Sequence, residues 1–437
     1  MPRYDTVIVG SGLAGLSCGL ALTQKGKRVV ICEQHSAPGG YVTSFSRKGF
    51  RFDAGAGCFS SGGMVLPILR SLGVAGVLQI RPIRFSALVG GQRLVLTSPE
   101  SVIDGLGGLY PDARDGLARY FRRLEPAYRL ADITTRSEPF TGSWAGYLGL
   151  AGAVAVRPSL WLSSVRETGK TSEDLLRETV PRPEVRHILR SLGYPTMSLT
   201  FAAYWWYSIF EDYWYPLGGM RAITDALVAA FLAAGGELRL GARVEAVLVG
   251  AAGRVSGVRV APGEVIEGDS VVSAADLAWT LSALENAPGP ERPAGRKLRA
   301  LRARVAAAVP SETLFSAYLG LRPEPGEMER PTYATAVYGD PADASDEPAF
   351  VYLHTQTDPA SAPAGHAAAT VHGMADYEQW ARLAGLPPRI PGEPAPRPGP
   401  EAQARPAAYR EAKAAAITRA VERVSRLLPG LGDRLVV

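Results

Sequence analysis

The stretch "VIVGSGLAGLSCGL", residues 7–20, places three glycines between an apolar run and an apolar helical pattern. The run "YDTVIVG" (4–10) predicts a short buried strand, and residues 13–26 predict a helix with leucines on one face. "RVVICE" (28–33) predicts a second strand. The glycines therefore lie in a strand–turn–helix–strand unit, the context in which such a motif binds a dinucleotide.

Each glycine has a physical role in that unit. Gly10 permits the tight turn, Gly12 lets the backbone approach a pyrophosphate, and Gly15 lets helix and strand pack closely. The helix N-terminus favours the phosphate charge. Glu33 ends the second strand and can accept hydrogen bonds from ribose hydroxyls. The predicted binding residues of this unit are Gly10, Ser11, Gly12, Leu13, Ala14, Gly15, Glu33 and Gln34.

A second diglycine, Gly39-Gly40, follows closely and runs into "GFRFDAG" (49–55). Together with the first motif, this segment resembles the FAD-dependent phytoene desaturase family, which includes carotenoid desaturases, carotenoid isomerases and retinol saturases. It is less similar to the wider flavin amine oxidases, which usually have Arg where Tyr41 stands here. The resemblance implies FAD as the cofactor, with Gly39, Gly40 and Tyr41 close to the flavin.

The resemblance returns at "YWYPLGGMRAITDALVAAFLAAGGELRLGARVEAVLV" (213–249), because the family has a Tyr-Pro-x-Gly-Gly turn, a helix, a diglycine and then strands. Apolar spacing predicts the helix over 217–234 and strands in "ELRL" and "VEAVLV". Residues 253–276 predict a hairpin that returns to a buried strand. In the family, the backbone at the position of Val244 contacts the adenine side of FAD.

These elements predict an α/β fold with a discontinuous Rossmann-like FAD-binding domain and an α+β substrate-binding domain. We expect the FAD-binding domain over 1–75 and 217–285, and the substrate-binding domain over 76–216 and 286–437. Residues 386–406 are rich in proline and predict a mobile loop.

Members of the family continue past the point that matches "LLPGLGDRLVV" (427–437), with a glycine-rich strand–helix segment that closes over the flavin. The sequence shows no match to that segment, so we expect an open cleft beside Gly10–Gly15 and Gly39-Gly40, with the chain end heading back toward the FAD-binding domain. A site that lacks one wall should also hold FAD more weakly. Closure by the loop 386–406 is the alternative.

Aromatic side chains are concentrated in "FAAYWWYSIFEDYWYP" (201–216), directly before the Tyr-Pro turn. They supply an apolar wall that suits a polyene or isoprenoid tail. Packing in the core or in a membrane-facing belt is the alternative. The predicted substrate tunnel consists of Tyr204, Trp205, Tyr207, Tyr215, Gly218 and Gly219.

Glu211 and Asp212 are the candidates for a catalytic base, since burial beside an apolar tunnel would raise the pKa of a carboxyl group. A solvated loop before the Tyr-Pro turn is the competing interpretation. The five histidines show no metal-ligand spacing, so no metal site is predicted; they are His35, His187, His354, His366 and His372.

Composition narrows the class of partner. The 437 residues carry a formal net charge of +5, but the basic residues are scattered, so nucleic acid is not an expected partner. Arg far outnumbers Lys and Ala and Gly are abundant, which is typical of GC-rich bacterial coding. The expected partner is an apolar small molecule.

The cysteines and the N-terminus favour a cytoplasmic protein. Cys18, Cys32 and Cys58 are too few for a disulfide framework, and no secretory pattern precedes the first strand. The apolar stretch 147–162 is too short and interrupted to span a bilayer. With the basic surface, it leaves a peripheral contact with the inner face of the cell membrane open.

The resemblance implies an FAD-dependent oxidoreductase acting on a long apolar isoprenoid or polyene by hydride transfer at flavin N5. Carotenoid-like desaturation, isomerisation and saturation are the implied reactions. No acid–base pair stands out, which fits a protein that mainly orients the substrate and excludes water. Two alternatives stay open: a flavin oxidase of another hydrophobic metabolite or amine, and a non-catalytic lipid-binding protein on the same fold.

Overall fold

The described part of the chain contains one seven-stranded and one six-stranded sheet together with helices. The computed structural model describes residues 3–137, 144–156, 162, 169–193, 197–250, 253–289, 291–308, 313–323, 332–343, 347–394, 405–429 and 434–436. Its strands are β1 Tyr4–Val9, β2 Val29–Cys32, β3 Ser44–Arg47, β4 Phe50–Asp53, β5 Phe59–Ser60, β6 Ile80–Pro82, β7 Phe85–Val89, β8 Gln92–Leu96, β9 Tyr213–Pro216, β10 Glu237–Arg239, β11 Val244–Val249, β12 Val255–Val260, β13 Glu264–Ser273, β14 Leu284–Glu285, β15 Thr313–Leu321, β16 Ala334–Val337, β17 Ala349–Leu353 and β18 Ala367–Ala375. Its helices are α1 Leu13–Thr23, α2 Gly62–Ser71, α3 Pro99–Leu109, α4 Arg114–Arg136, α5 Trp144–Val156, α6 Ser172–Thr179, α7 Pro183–Ser191, α8 Leu199–Glu211, α9 Arg221–Ala233, α10 Leu277–Ser282, α11 Pro293–Ala306, α12 Tyr377–Leu383 and α13 Ala407–Leu427.

The first sheet joins the N-terminal segment to the segment 237–285. In the described part of the chain its strands run in the order β10-β2-β1-β13-β12-β11-β14, and the first four are parallel. β1 and β2 are apolar and almost wholly buried, as expected for parallel strands covered on both faces. Because β1 lies between β2 and β13, the loops after these strands meet at one edge, where α/β sheets bind ligands. The predicted α/β Rossmann-like fold is confirmed, while the predicted domain limits stay predictions.

Helix α9 begins later than its apolar spacing predicts. Gly218 and Gly219 have φ values of +95° and +83°, a left-handed conformation that cannot start a helix, so the helix begins at Arg221. Its Phe231 is fully buried, and a Cβ at Gly19 of α1 would lie 3.1 Å from the Phe231 ring. The close packing of α9 against α1 therefore joins two segments that are distant in the chain.

The second sheet has the strand order β15-β18-β17-β16-β7-β8 among the described residues. Helix α13 packs on it through Ala420 and Val424. Leu435 forms a bridge with Leu321, so residues 434–436 extend along the edge strand β15. Residues 395–404 of the predicted proline-rich loop lie outside the described residues.

The packing of Phe231 gives a stability prediction. Phe231→Ala should lower the free energy of unfolding by about 3–5 kcal/mol, because it leaves a cavity between α9 and α1. Its neighbour Leu232 is 49% exposed, so Leu232→Ala should change the free energy by no more than about 0.5 kcal/mol. Urea unfolding followed by circular dichroism measures both values. Equal losses in the two variants would contradict this packing.

Candidate active site

The glycine motif forms a loop that is tightly packed on its inner side and open on its outer side. The Gly10 N–H donates to the Cys32 carbonyl at 2.8 Å, and Gly10 has a φ of +94°. A Cβ at Gly15 would lie 2.1 Å from the Gly10 carbonyl oxygen, so only glycine fits there. A Cβ at Gly12 would meet no atom within 4 Å. The loop therefore leaves space for a ligand beside Gly12.

The first turn of α1 has no side-chain cap. Gly12 is the N-cap residue, and the first turn contains no acidic residue. By contrast, Asp212 accepts a hydrogen bond from the Gly63 N–H in α2, and Asp53 accepts one from Met220 before α9 at 2.8 Å. The N–H groups that open α1, with the positive end of its dipole, thus fit a pyrophosphate.

Glu33 is buried directly beneath this loop. Its Oε2 accepts hydrogen bonds from the N–H and hydroxyl of Ser11 at 2.9 and 2.8 Å, and its Oε1 accepts one from the His35 N–H at 3.0 Å. Burial acts to raise the pKa of Glu33, but these hydrogen bonds outweigh it and hold the pKa below its ordinary value. An ionised carboxylate has further lone pairs for a ribose hydroxyl. The Gln34 side chain is exposed and lies 3.3 Å from the His35 ring nitrogen.

The second diglycine packs on the first loop. The Gly39 N–H donates to the Ser11 carbonyl at 3.0 Å, and a Cβ at Gly40 would lie 3.3 Å from the Gly12 Cα. The Tyr41 side chain is 84% exposed. Both loops therefore border the same open space at the edge of the first sheet.

Val244 follows the loop whose Ala242 N–H donates to the Glu33 carbonyl at 2.8 Å. It opens β11 and is buried in an apolar cluster with Tyr4, Val7 and Val30. Its assignment to the adenine side of the cofactor stays a prediction.

The diglycine loop contacts a second loop, residues 54–57, which follows the hairpin of β3 and β4. The Tyr41 carbonyl accepts a hydrogen bond from the Ala56 N–H at 3.0 Å, and a Cβ at Gly55 would lie 2.4 Å from the same oxygen. This close approach requires glycine at position 55. It connects the dinucleotide motif, through one intervening loop, to the cavity described next.

A cavity of about 390 Å³ opens beside residues 55–60. Most of its wall is apolar or aromatic, which is typical of small-molecule sites. Burial raises the pKa of the Cys58 thiol, so that thiol stays protonated and is a poor nucleophile. The lining residues are Gly55, Ala56, Gly57, Cys58, Phe59, Ser60, Tyr213, Leu314, Tyr352 and His372.

The aromatic stretch 201–216 reaches this cavity through Tyr213. The Trp205 ring lies edge-on to the Tyr213 ring, with 6.2 Å between ring centres. Its Nε1–H donates to the Leu192 carbonyl at 2.7 Å. Trp205 thus lies one ring behind the cavity wall.

The other predicted tunnel aromatics, Tyr204, Tyr207 and Tyr215, lie at other positions of α8 and β9. The Tyr207 ring contacts Tyr128 of α4, with 5.4 Å between ring centres, and Tyr204 lies 6.2 Å from Tyr207. The buried Tyr215 hydroxyl donates to Asp53 at 3.0 Å. These rings do not border the 390 Å³ cavity. The tunnel assignment of Tyr204, Trp205, Tyr207, Tyr215, Gly218 and Gly219 stays a prediction.

The two candidate carboxylates do not border the cavity either. Glu211 is exposed and accepts a hydrogen bond from the Tyr128 hydroxyl at 2.8 Å. Asp212 is 4% exposed and accepts one from the Trp214 Nε1–H at 2.7 Å. Burial raises the pKa of Asp212. The solvated-loop interpretation is therefore wrong for Asp212, which holds the start of α2 to β9.

A buried polar cluster that the sequence analysis missed lies behind the cavity. The Tyr333 hydroxyl donates to the Gly57 carbonyl, and His354 Nδ1 lies 3.2 Å from the same hydroxyl. His354 Nε2 lies 2.8 Å from the Thr370 hydroxyl. Burial lowers the pKa of His354 to about 3, so the ring is neutral. The cluster fixes the loop that forms the cavity wall.

Two carboxylates of the same region hold the Gly218-Gly219 turn. Asp358 accepts a hydrogen bond from the Gly218 N–H at 2.7 Å and pairs with Arg51 at 2.5 Å. A Cβ at Gly219 would lie 3.1 Å from Asp53 Oδ1. The only sequence signal for Asp53 was its place in "GFRFDAG", and Asp358 had none, because both bind residues far away in the chain.

Within the described ranges, no group of three His, Cys, Asp or Glu side chains could hold a metal ion. No helix among the described residues is long and apolar enough to cross a membrane. Residues 157–161 of the apolar stretch 147–162 lie outside the described part.

Comparison with known proteins agrees with this geometry. The model of the flavin containing amine oxidoreductase family matches residues 13–381. The chain is 26% identical to phytoene desaturase (lycopene-forming) of Pseudescherichia vulneris, over 82% of this chain and 74% of that protein. It is 23% identical to prolycopene isomerase of Daucus carota, over 62% of this chain and 46% of that protein. It is 24% identical to all-trans-retinol 13,14-reductase of Homo sapiens, over 60% and 45%.

Solved structures show the same fold. An oxidoreductase of Methanosarcina mazei has a TM-score of 0.65 at 17% identity, covering 98% of this chain and 85% of that chain. Putrescine oxidase bound to putrescine has a TM-score of 0.58 at 14% identity, covering 100% and 84%. At these identities the likeness shows the fold alone.

Gly12 faces open space and Gly15 faces packed backbone, so alanine substitutions at these two positions form a matched pair of variants. Gly12→Ala should leave the thermal unfolding of the FAD-free protein unchanged, because its φ of −68° suits alanine and its Cβ meets nothing. It should weaken FAD binding by about tenfold or more, about 1.4 kcal/mol, because the methyl group fills the pyrophosphate space. Gly15→Ala should lower both stability and FAD affinity.

Circular dichroism measures the unfolding, and quenching of flavin fluorescence measures the affinity. If Gly12→Ala binds FAD as tightly as the unaltered chain, the pyrophosphate does not lie beside Gly12.

Proposed function

Because the chain belongs to the flavin containing amine oxidoreductase family, we propose that it is an FAD-dependent oxidoreductase acting on a long apolar isoprenoid or polyene substrate. FAD is its cofactor. The observation that carries the substrate class is the apolar cavity beside residues 55–60, one loop away from the dinucleotide motif. The names of the curated relatives, which include desaturases and an isomerase of carotenoids, support the same class.

The residues of the open loop fit the cofactor. Gly12 and the first N–H groups of α1 would hold the pyrophosphate, and Glu33 would accept from the ribose. When bound, FAD supplies hydride chemistry at its flavin ring. The diglycine loop would direct that ring toward residues 54–57, since the Tyr41 carbonyl joins the two loops.

The protein's own contribution is to position the substrate and exclude water. The loop of residues 54–57, the cavity loop, is held at both ends. The Tyr318 hydroxyl donates to the Ala54 carbonyl at 3.1 Å, and the Tyr333 hydroxyl donates to the Gly57 carbonyl. A fixed apolar wall orients a flexible polyene, which lowers the entropic part of the barrier. In desaturation, FAD would supply the hydride acceptor, and the proton from the neighbouring carbon would leave to solvent at the open mouth of the cavity. Isomerisation and saturation of the substrate are the other reactions that the proposal includes.

The family name favours a second candidate, the oxidation of an amine. The described cavity wall contains no acidic residue, so a protonated amine would lie there without a counter-charge. A non-catalytic lipid-binding protein differs from both enzymes in that its flavin would not be reduced by any ligand.

Product analysis tests the proposal. FAD-loaded protein is incubated with phytoene, with retinol or with putrescine, and extracts are analysed by mass spectrometry and chromatography. We expect an isoprenoid product that has gained or lost a hydrogen pair or changed its double-bond geometry, and no product from putrescine. FAD-depleted protein is the control. Oxidation of putrescine alone would favour the amine oxidase, and no product from any of them would favour the lipid-binding protein.

We also propose that this protein is cytoplasmic and that it contacts the membrane surface through α5. The sequence "WAGYLGLAGAVAV" of α5 carries no charge, and Trp144 and Leu148 are 82% and 69% exposed. An exposed apolar helix on a chain of net charge +5 suits an anionic bilayer surface. Such a contact would also bring the enzyme to apolar substrates dissolved in the bilayer.

Vesicle flotation tests this contact. The unaltered chain should float with phosphatidylglycerol-containing vesicles, and Trp144→Ser combined with Leu148→Ser should remain at the bottom of the gradient, because the apolar area that enters the bilayer is lost. Leu232→Ser, at another exposed leucine, is the matched control and should float. Equal flotation of all three proteins would assign the membrane contact to a different surface.

A further inference from the structure

We propose that His372 determines substrate specificity by forming a hydrogen bond to a neutral hydroxyl group at one end of the apolar substrate. The inference rests on the proposed function and narrows its substrate class from a pure hydrocarbon to an isoprenoid or polyene alcohol. His372 lies on β18 and lines the cavity opposite the loop 55–60.

The His372 ring is held in a fixed orientation. Its Nδ1 lies 2.8 Å from the hydroxyl of Ser316, the residue directly opposite on β15. The Tyr352 ring packs against it nearly edge-on, with 5.2 Å between ring centres. Because one nitrogen is tethered and the ring face is packed, the second nitrogen keeps one position relative to the cavity.

Among the described residues, the hydrogen-bond partners of the ring are the Ser316 hydroxyl and the Phe315 backbone, both on β15, and no side chain other than Ser316 bonds it, so Nε2 has no side-chain partner at the cavity. A hydrocarbon that filled the cavity would remove water from Nε2 and offer no partner, which costs affinity. A hydroxyl group both donates and accepts, so it suits Nε2 in either tautomer of the ring. Sites built around a hydrogen bond to a ligand hydroxyl reject analogues that lack it.

The charge of the site favours a neutral ligand end. Burial lowers the pKa of His372 to about 4, so the ring is uncharged at neutral pH. The described wall contains no acidic residue and no other basic one. A carboxylate or an ammonium group would therefore lie in the cavity without a counter-charge.

Ser60 and Cys58 are other polar side chains on the same wall. A thiol is a weak hydrogen-bond donor, and the Cys58 thiol stays protonated. Ser60 lies on β5, directly opposite Tyr213 on β9. Its hydroxyl could bind the ligand hydroxyl in place of His372, so the experiment must distinguish the two residues.

The experiment compares geranylgeraniol, whose hydroxyl group donates and accepts a hydrogen bond, with its methyl ether, whose oxygen only accepts one. Each is titrated into FAD-loaded protein, and binding is followed by quenching of tryptophan fluorescence. We expect the unaltered chain to bind the alcohol about fivefold more tightly than the ether, the scale of one hydrogen bond to a neutral group.

Variants locate the hydrogen bond. His372→Phe keeps an aromatic ring and should abolish the preference, whereas His372→Gln keeps a donor and an acceptor and should retain part of it. His366→Gln, at an exposed histidine that contacts Phe50, is the control and should retain the full preference. Thermal unfolding checks that His372→Phe is folded; if it is not, the alcohol-to-ether ratio of the unaltered chain and of His372→Gln decides.

The outcomes separate this inference from the proposed function. If His372→Phe is folded and binds the alcohol as tightly as the unaltered chain does, the role of His372 is overturned and the apolar substrate class stands. Loss of the preference in Ser60→Ala but not in His372→Phe assigns the contact to Ser60 and also overturns it. Failure to bind either ligand overturns the proposed function together with the inference.

Discussion

The contact between Gly15 and the Gly10 carbonyl is the constraint on which the rest of the structure depends. It brings the first turn of α1 against the end of β1, where a side chain would lie 2.1 Å from the carbonyl oxygen. This close approach is made directly after Gly12, the N-cap residue whose side is open. Glu33 and the diglycine loop are both hydrogen-bonded to Ser11, and the loop of residues 54–57 is hydrogen-bonded to Tyr41.

The glycine motif and the cavity wall are held by different kinds of buried polar side chain. Near the motif, a carboxylate stabilises backbone N–H groups and stays ionised. Behind the cavity, neutral groups such as His354 and Tyr333 hold the wall, because an uncharged ring can be buried fully when its nitrogens are hydrogen-bonded. His354 and Tyr333, which hold the cavity wall, are therefore uncharged, and the buried carboxyl group of Asp53 lies 3.5 Å from His354 Nδ1.

The sequence predicted the features that depend on local pattern. β1, α1 and β2 form within a few residues of their expected limits, because glycine spacing and apolar runs are local signals. The start of α9 differed, because its apolar spacing continues through Gly218 and Gly219 although their backbone is left-handed. Tyr215 and Asp53 are 162 residues apart in the chain, so no local pattern could predict that Tyr215 donates to a buried carboxylate. Asp212 and His354 were misjudged or missed for the same reason.

The strand order has a consequence for how the protein is made. β1 has β13 as one of its two neighbours, so the central strand of the first sheet stays half-paired until residues 264–273 have left the ribosome. In the second sheet, β7 similarly lacks one neighbour until β16, residues 334–337, has been synthesised. Both sheets therefore depend on long-range pairing, which folds slowly and leaves apolar edges exposed in the nascent chain. The strand that carries the glycine loop therefore gains both of its neighbours only after more than half of the polypeptide has emerged.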